Sequence, residues 1–155
     1  MPGVIDARLA TLSIELPRPS VPQANYVPTV RTGQHVHVAG QVPFWNGELK
    51  YIGKLGHDFD VVQGREAARL VALNVVAHLK NALDGDLDRV VRAVKLNGFV
   101  NCVPEFGDHP KVMNGASDLL VEIFGDIGRH ARSSVGVAAL PFGVAVEIDA
   151  IFEVR

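Results

Sequence analysis

Residues 130–141 read His-Ala-Arg-Ser-Ser-Val-Gly-Val-Ala-Ala-Leu-Pro, and residues 146–150 read Val-Glu-Ile-Asp-Ala. Both are apolar runs of β character; Arg132 opens the first and Glu147 interrupts the second. Burying an ionised side chain is costly unless a partner or a ligand compensates it. A guanidinium matches a carboxylate in charge and in fork geometry. The pattern therefore predicts an anion site at Arg132, with Glu147 as a second polar group nearby.

The same stretch resembles the end of the RidA/YjgF family of reactive-intermediate (enamine/imine) deaminases. That family shares a similar Ala-Arg-Ser/Thr-x-Val, Leu-Pro and Val-Glu-Ile-Glu/Asp-Ala pattern. A second match is residues 39–43, Ala-Gly-Gln-Val-Pro, which is similar to the family's Ser/Ala-Gly-Gln-Ile/Val-Pro. The resemblance covers about residues 23–154. It implies a chorismate-mutase-like fold and a homotrimer with sites in the clefts between subunits.

Length and composition predict one soluble domain spanning residues 1–155. Hydrophobic residues make up 48% of the chain and charged residues 21%, which suffices for a core. The net charge is −2 and no basic cluster occurs, which disfavours general nucleic-acid binding. The single cysteine, Cys102, cannot form an internal disulfide. With no apolar run of membrane-spanning length and no signal-peptide pattern, we expect a cytoplasmic protein.

Hydrophobic periodicity predicts the order of elements along the chain. A short N-terminal helical extension, about residues 3–16, precedes a proline-rich linker and a β run over residues 27–41. The later elements are a helix over residues 60–83 with a capping box, a β run over 90–102 in which Gly98 is expected to mark a bulge, a helix from about residue 108 to Gly125, and strands over 132–140 and 144–154. Asn46-Gly47 predicts a hairpin turn.

This order predicts an α+β sandwich, in which two helices pack on one face of a mixed sheet. Non-polar residues occupy both sets of alternating positions in the last two strands, so both sheet faces are expected to be buried. A second apolar sheet face is unfavourable in water unless another chain covers it, so the sequence predicts an oligomer.

The resemblance assigns roles to the polar residues of the last two strands. Arg132 would bind the substrate carboxylate, the backbone N–H of Ser134 would be its second contact, and Glu147 would hold or activate a water. The residues alone leave two other interpretations open. Arg132 can form a structural salt bridge with Glu147 or Asp149 at the end of the sheet, and Glu147 can face solvent on an edge strand.

Three further site residues come from the resemblance. Tyr26 matches an aromatic residue that the family contributes to a neighbouring subunit's site, Gly40 lies in the Gly-Gln-Val-Pro motif, and Asn114 corresponds to an asparagine on the second helix. A lone tyrosine such as Tyr26 can equally be a packing residue. Ala39 replaces a frequent Ser/Thr, the second helix lacks the family's Tyr-x-x-Phe-Phe pattern, and the leading helix is extra. These departures predict a longer, divergent subgroup.

No cofactor or metal is expected. His35 and His37 share a strand face but have no acidic or cysteine partner at ligand spacing. The chain has no Gly-x-Gly-x-x-Gly motif, no phosphate loop and no nucleophile elbow. Cys102 is interpreted as a small packed hydrophobe.

The leading hypothesis is hydrolytic deamination of 2-imino (2-enamino) acids to 2-oxo acids and ammonia, as the resemblance implies. The alternative is a module of the same fold that binds or senses a small carboxylate without catalysis. Ribonuclease or translation-inhibitor activity, a third label attached to the family, is disfavoured because the chain has no basic patch and only 6% aromatic residues.

Overall fold

A five-stranded mixed sheet carries two long helices on one face in the computed structural model, which describes residues 1–155. This arrangement confirms the α+β prediction. The helices are α1 (Val4–Thr11), α2 (Val61–Ala82) and α3 (His109–Phe124). The strands are β1 (Thr29–Thr32), β2 (His35–Gln41), β3 (Phe44–Trp45), β4 (Glu48–Leu49), β5 (Val90–Asn101), β6 (Ala131–Val137) and β7 (Val146–Val154). No helix is long and apolar enough to cross a membrane.

The strand order in the main sheet is β1-β2-β7-β5-β6. Strands β5 and β6 run parallel, whereas the other neighbours are antiparallel. Strand β6, which carries Arg132, therefore forms one edge of the sheet. Strand β7, which carries Glu147, lies in the middle, and β5 separates the two.

Local sequence signals explain most element boundaries. The Asp60 carboxylate accepts from the Gln63 backbone N–H at 2.9 Å, and the Gln63 side chain accepts from the Asp60 N–H at 3.0 Å, which confirms the capping box. The predicted β run over residues 27–41 is two strands, because Gly33 turns the chain with φ of 56°. Asn46-Gly47 closes the small β3–β4 hairpin.

Two expectations about the strands are wrong. Gly98 marks no bulge, since the pairing register is regular through it and shifts only nearer the start of β5. It instead leaves room for Met113 of α3, whose side chain would collide with a Cβ at position 98. The strand predicted over 132–140 stops at Val137, because a 3₁₀ turn at Pro141–Gly143 reverses the chain before β7.

The core lies between the sheet and the helices. Alternate residues of β7 are buried toward α2 and α3, while the intervening positions face outward: Glu147, Asp149, Ile151 and Glu153. On β6, Val135 faces outward and is 46% exposed. Within one chain the outer face is only partly buried and carries acidic side chains, so burial of this face by a partner chain stays a prediction.

The extra N-terminal segment is anchored at its start. The Asp88 carboxylate accepts from the backbone N–H groups of Val4 (2.7 Å) and Ile5 (2.8 Å), which caps α1. Residues 13–28 then run without helix or strand to β1, and contact α2 at His78 on the way. This segment borders the site described next.

Candidate ligand-binding site

A cavity of about 210 Å³ opens where β2 ends and β7 begins. Residues 20–28 form one wall, and the 3₁₀ turn before β7 forms another. Tyr26, Gly40 and Glu147 all line it, so three of the residues singled out from the sequence share one cavity within one chain. Tyr26, at 52% exposure, and Phe142, at 61%, are its exposed aromatic residues.

Strand β2 contains a bulge at Gly40, which lies close to the Glu147 side chain. Val38 pairs with Ala150 but Gln41 pairs with Ile148, so β2 contains one extra residue between them. A Cβ at position 40 would collide with Glu147 Oε1. Any larger residue would displace the Glu147 carboxylate, so glycine at position 40 allows the backbone and this carboxylate to approach closely, which gives a physical reason for the Gly-Gln motif.

The Glu147 carboxylate is half-buried and forms no hydrogen bond or salt bridge within the chain. Burial, and then the neighbouring Asp149 carboxylate, raise the pKa of Glu147 above its ordinary value. A carboxylate with a raised pKa and free oxygens is suited to accept a proton from a water or a ligand.

A second group of polar residues surrounds Arg132. Its Nη1 donates to Asn114 Oδ1 at 2.9 Å and to Ser117 Oγ at 3.1 Å, and its Nη2 donates to the Pro110 carbonyl at 3.4 Å. These three bonds tie the guanidinium to α3 and leave its remaining N–H groups free. The arrangement fixes Arg132 while preserving donors for an anion.

The interpretation of Arg132 as a structural salt bridge is wrong. Asp149 instead accepts from Asn97 Nδ2 at 2.7 Å, and Arg132 has no acidic partner within the chain. Its contacts to α3 are all with neutral acceptors, which do not neutralise its charge.

Ser134 and His130 complete the surroundings of Arg132. Ser134 lies two residues further along β6 on the same face, and its buried hydroxyl has no hydrogen-bond partner. His130 is in hydrogen-bond contact with Ser117 Oγ at 3.0 Å and with the Gly128 carbonyl at 2.8 Å. Burial lowers the pKa of His130, so the ring adds no charge beside Arg132 at neutral pH.

The two groups lie on opposite faces of the sheet. Arg132 is level with Leu96, which pairs with Ala150 on the helix-covered face. Glu147 pairs with Phe99 on the outer face. The sequence placed Glu147 close to Arg132, but one chain does not bring them together. A site that uses both needs two copies of the chain.

His78 and Ser20 are among the cavity residues that sequence reasoning missed. His78 lies within the buried stripe of α2, where apolar spacing predicted only core packing. The available signal was chemical: Asn74 and His78 are polar, four residues apart, and both buried in that stripe. Buried polar side chains need partners, and such a pair in an apolar stripe indicates a polar contact from elsewhere.

The histidines and the cysteine proposed from the sequence lie outside both groups. His35 and His37 are exposed on the outer face of β2, and Cys102 is buried in the core cluster as predicted. No three His, Cys, Asp or Glu side chains are grouped so that they would hold a metal ion.

Comparison with known proteins identifies relatives of this chain. Residues 6–149 match a family model described as "YjgF/chorismate mutase-like, putative endoribonuclease". Protein TCP17 of Trypanosoma cruzi is 50% identical over 154 residues, which are 99% of this chain and 96% of TCP17.

Two solved structures illustrate the structural likeness. Atu1372 of Agrobacterium tumefaciens, a protein of unknown function, superposes with a TM-score of 0.92 and 47% identity, covering 98% of this chain and 93% of the other. TdcF of E. coli, solved with bound serine, gives a TM-score of 0.59 and 27% identity, covering 90% of this chain and 93% of TdcF.

Proposed function

Because this chain belongs to the RidA/YjgF family, we propose that it hydrolyses reactive 2-imino (2-enamino) acids to 2-oxo acids and ammonia. We further propose that the site forms between two copies of the chain in a homotrimer. The observation that carries both proposals is the separation of an unpartnered carboxylate, Glu147, from a partly free guanidinium, Arg132, on opposite faces of one sheet.

Arg132 supports recognition of the substrate carboxylate. Its contacts with Asn114 and Ser117 hold the guanidinium plane before a ligand arrives, so less side-chain entropy is lost on binding. Its free N–H groups provide the charge-assisted hydrogen bonds that a carboxylate prefers. Ser134, with a buried hydroxyl that has no partner, lies on the same face and provides a further donor.

Glu147 supports the chemical step. In this reaction the water oxygen attacks C2 of the imine, the C–O bond forms as the C=N double bond becomes a single bond, and the water gives one proton to the Glu147 carboxylate. Glu147 returns that proton to the nitrogen, which gives a carbinolamine. The carbinolamine hydroxyl then gives its proton to the nitrogen through the same carboxylate as the C–N bond breaks, and ammonia and the 2-oxo acid leave. The raised pKa of Glu147 brings its basicity closer to that required at neutral pH.

Two features support an interface at these residues. Strand β6 is an unpaired sheet edge directly beside Arg132, and exposed edges of this kind favour association. The outer face beyond Glu147 also carries exposed apolar groups, among them Val30 and Val135. A second copy covering this face would bring its own Arg132 group toward the Glu147 cavity. Serine bound to TdcF is a small carboxylate ligand of the same class.

The test is the rate of 2-oxo acid release from imines generated in situ, compared with buffer alone. Wild type should accelerate release, and Glu147→Gln should slow turnover roughly a hundredfold, the usual contribution of a positioned acid or base. Glu153→Gln is the matched control, since Glu153 is a half-buried outward glutamate of the same strand outside the cavity.

A wild-type rate equal to that of buffer, across several imines, would overturn the deaminase proposal. If the same protein still bound small 2-oxo acids through Arg132, the carboxylate-binding module without catalysis would take its place.

A further inference from the structure

The cavity beside Glu147 extends to a buried histidine. His78 of α2 is only 2% exposed, yet its side chain lines the same cavity as Glu147. Since α2 covers one face of the sheet and Glu147 projects from the other, the cavity passes around the end of β2. A ligand reacting at Glu147 therefore has room for a side chain that extends toward His78.

One ring nitrogen of His78 has a hydrogen-bond partner and the other has none. Its Nε2 is in hydrogen-bond contact with Ser20 Oγ at 3.3 Å, whereas its buried Nδ1 has no partner. Burial lowers the pKa of His78, so at neutral pH the ring is uncharged and offers one donor and one acceptor nitrogen. A buried nitrogen without a partner costs free energy. The Nε2 edge of the ring meets Ser20, another residue that lines the cavity, so this is the edge that a ligand group would approach.

A second unsatisfied atom lies one helical turn earlier. Asn74 donates from Nδ2 to the carbonyls of Phe44 (2.7 Å) and Leu70 (2.9 Å), but its buried Oδ1 accepts nothing. Residues four apart on a helix share a face, so Asn74 and His78 lie on one face of α2, each with one buried polar atom that has no partner. Phe44, whose carbonyl orients Asn74, also lines the cavity.

We propose that His78, positioned by Ser20, is a specificity-determining residue that hydrogen-bonds a polar group in the side chain of the substrate. The preferred substrates are then 2-imino acids with a hydroxyl or amide side chain rather than those with plain alkyl side chains. The preference between imine substrates rests on the proposed deaminase function, whereas the preference between bound ligands does not.

Selectivity between two imines tests the proposal. Imines made in situ by enzymatic oxidation of serine and of alanine differ by one hydroxyl, and wild type should have the higher kcat/KM for the serine imine. His78→Leu removes the hydrogen-bonding nitrogens and should reduce this preference about tenfold, as expected for one hydrogen bond. His78→Gln keeps a donor and an acceptor and should retain much of it.

Two controls separate selectivity from folding. Ser20→Ala alters a residue of the extended segment outside the core and should weaken the preference in the same direction. His109→Gln changes a histidine outside this cavity and should leave the preference unchanged. Melting temperatures measured alongside identify any variant that fails to fold.

Binding provides a readout that does not depend on catalysis. Calorimetry should give tighter binding of 3-hydroxypyruvate than of pyruvate to wild type, and loss of that difference in Ser20→Ala and His78→Leu. If no imine is hydrolysed but this difference is present, the deaminase proposal fails and the subsite stands. If wild type shows no preference, or if the variants lower the affinity for both ligands equally, the subsite is overturned.

Discussion

Arg132 and Glu147 face away from each other across one sheet, with strand β5 between the strands that carry them. Neither has an ionic partner in its own chain. Under the proposed function, a neighbouring copy of the chain would supply the missing ionic partner, and this proposal makes predictions about assembly.

Mixed assemblies should recover activity that pure variants lack. Arg132→Ala and Glu147→Gln should each be strongly impaired alone, because every interfacial site loses one of its two groups. When the two variants are unfolded together and refolded as a mixture, some sites should combine the intact Arg132 of one chain with the intact Glu147 of another. Imine hydrolysis measures the recovery, with each variant refolded alone as the control; a mixture as inactive as its components would contradict a shared site.

The assembly itself should be a trimer. The exposed β6 edge and the uncovered outer face favour association, so light scattering at micromolar concentration should give about three times the chain mass of 16.7 kDa. A species with the mass of one chain under those conditions would contradict the interfacial site.

Arginine at position 132 should not be replaceable by lysine. An ammonium group provides a point charge but not the planar fork that contacts Asn114 and Ser117 while binding a carboxylate. Arg132→Ala should abolish calorimetric binding of simple 2-oxo acids, and Arg132→Lys should weaken it roughly tenfold or more. Arg129→Ala, which removes a neighbouring surface arginine paired only with Asp126, is the control and should bind nearly normally.

The stability of the Glu147→Gln variant should depend on pH in a defined direction. Burial raises the pKa of Glu147 in the folded chain, so the folded state favours the protonated carboxyl. Its ionisation destabilises the fold as pH rises above the unfolded pKa of about 4.3. In the isolated chain, measured at concentrations too low for assembly, the glutamine variant should therefore melt at a higher temperature than wild type at pH 7, and the difference should vanish below about pH 4. An unchanged or lower melting temperature at pH 7 would contradict the uncompensated burial of this carboxyl.

Adding one methyl group at Gly40 should impair function more than folding. The new Cβ would occupy the space of Glu147 Oε1 and displace the carboxylate from its position in the cavity. A displacement of about 1 Å is sufficient to cost roughly a hundredfold in rate. Turnover and melting temperature of Gly40→Ala check this, and Gly107→Ala is the control because nothing lies near its Cβ position. A Gly40→Ala variant with wild-type turnover would show that the close approach has no function.

The sequence was sufficient for the elements and their order, because the capping box of α2 and the alternation of β7 are local signals. Which face a strand residue occupies depends on long-range pairing, and no local pattern reports that. Arg132 and Glu147 are near in sequence and were expected to be neighbours, but parallel pairing of β6 with β5 puts them on opposite faces. Gly98 gives a similar example, because its constraint is a long-range contact with Met113 on a helix, which no local pattern indicates.

His78 illustrates a second limit. Its spacing fits the apolar stripe of α2, and periodicity therefore assigns it to the core. Its partner, Ser20, is 58 residues away in a segment without regular structure. Only the folded chain reveals that the two meet and that the other ring nitrogen is left without a partner.

The cavity wall, residues 20–28, belongs to a longer segment without regular structure, residues 13–28, whose stability differs from that of the rest of the domain. Most of these residues are exposed, and few hydrogen bonds hold them to the domain, among them Arg18 N–H to Asn46 Oδ1 at 2.9 Å and the Ser20–His78 contact. Local opening of this wall requires far less free energy than global unfolding. A bound ligand favours the closed wall by mass action, so protease resistance of residues 13–28 reports occupancy of the cavity while the sheet and helices remain folded.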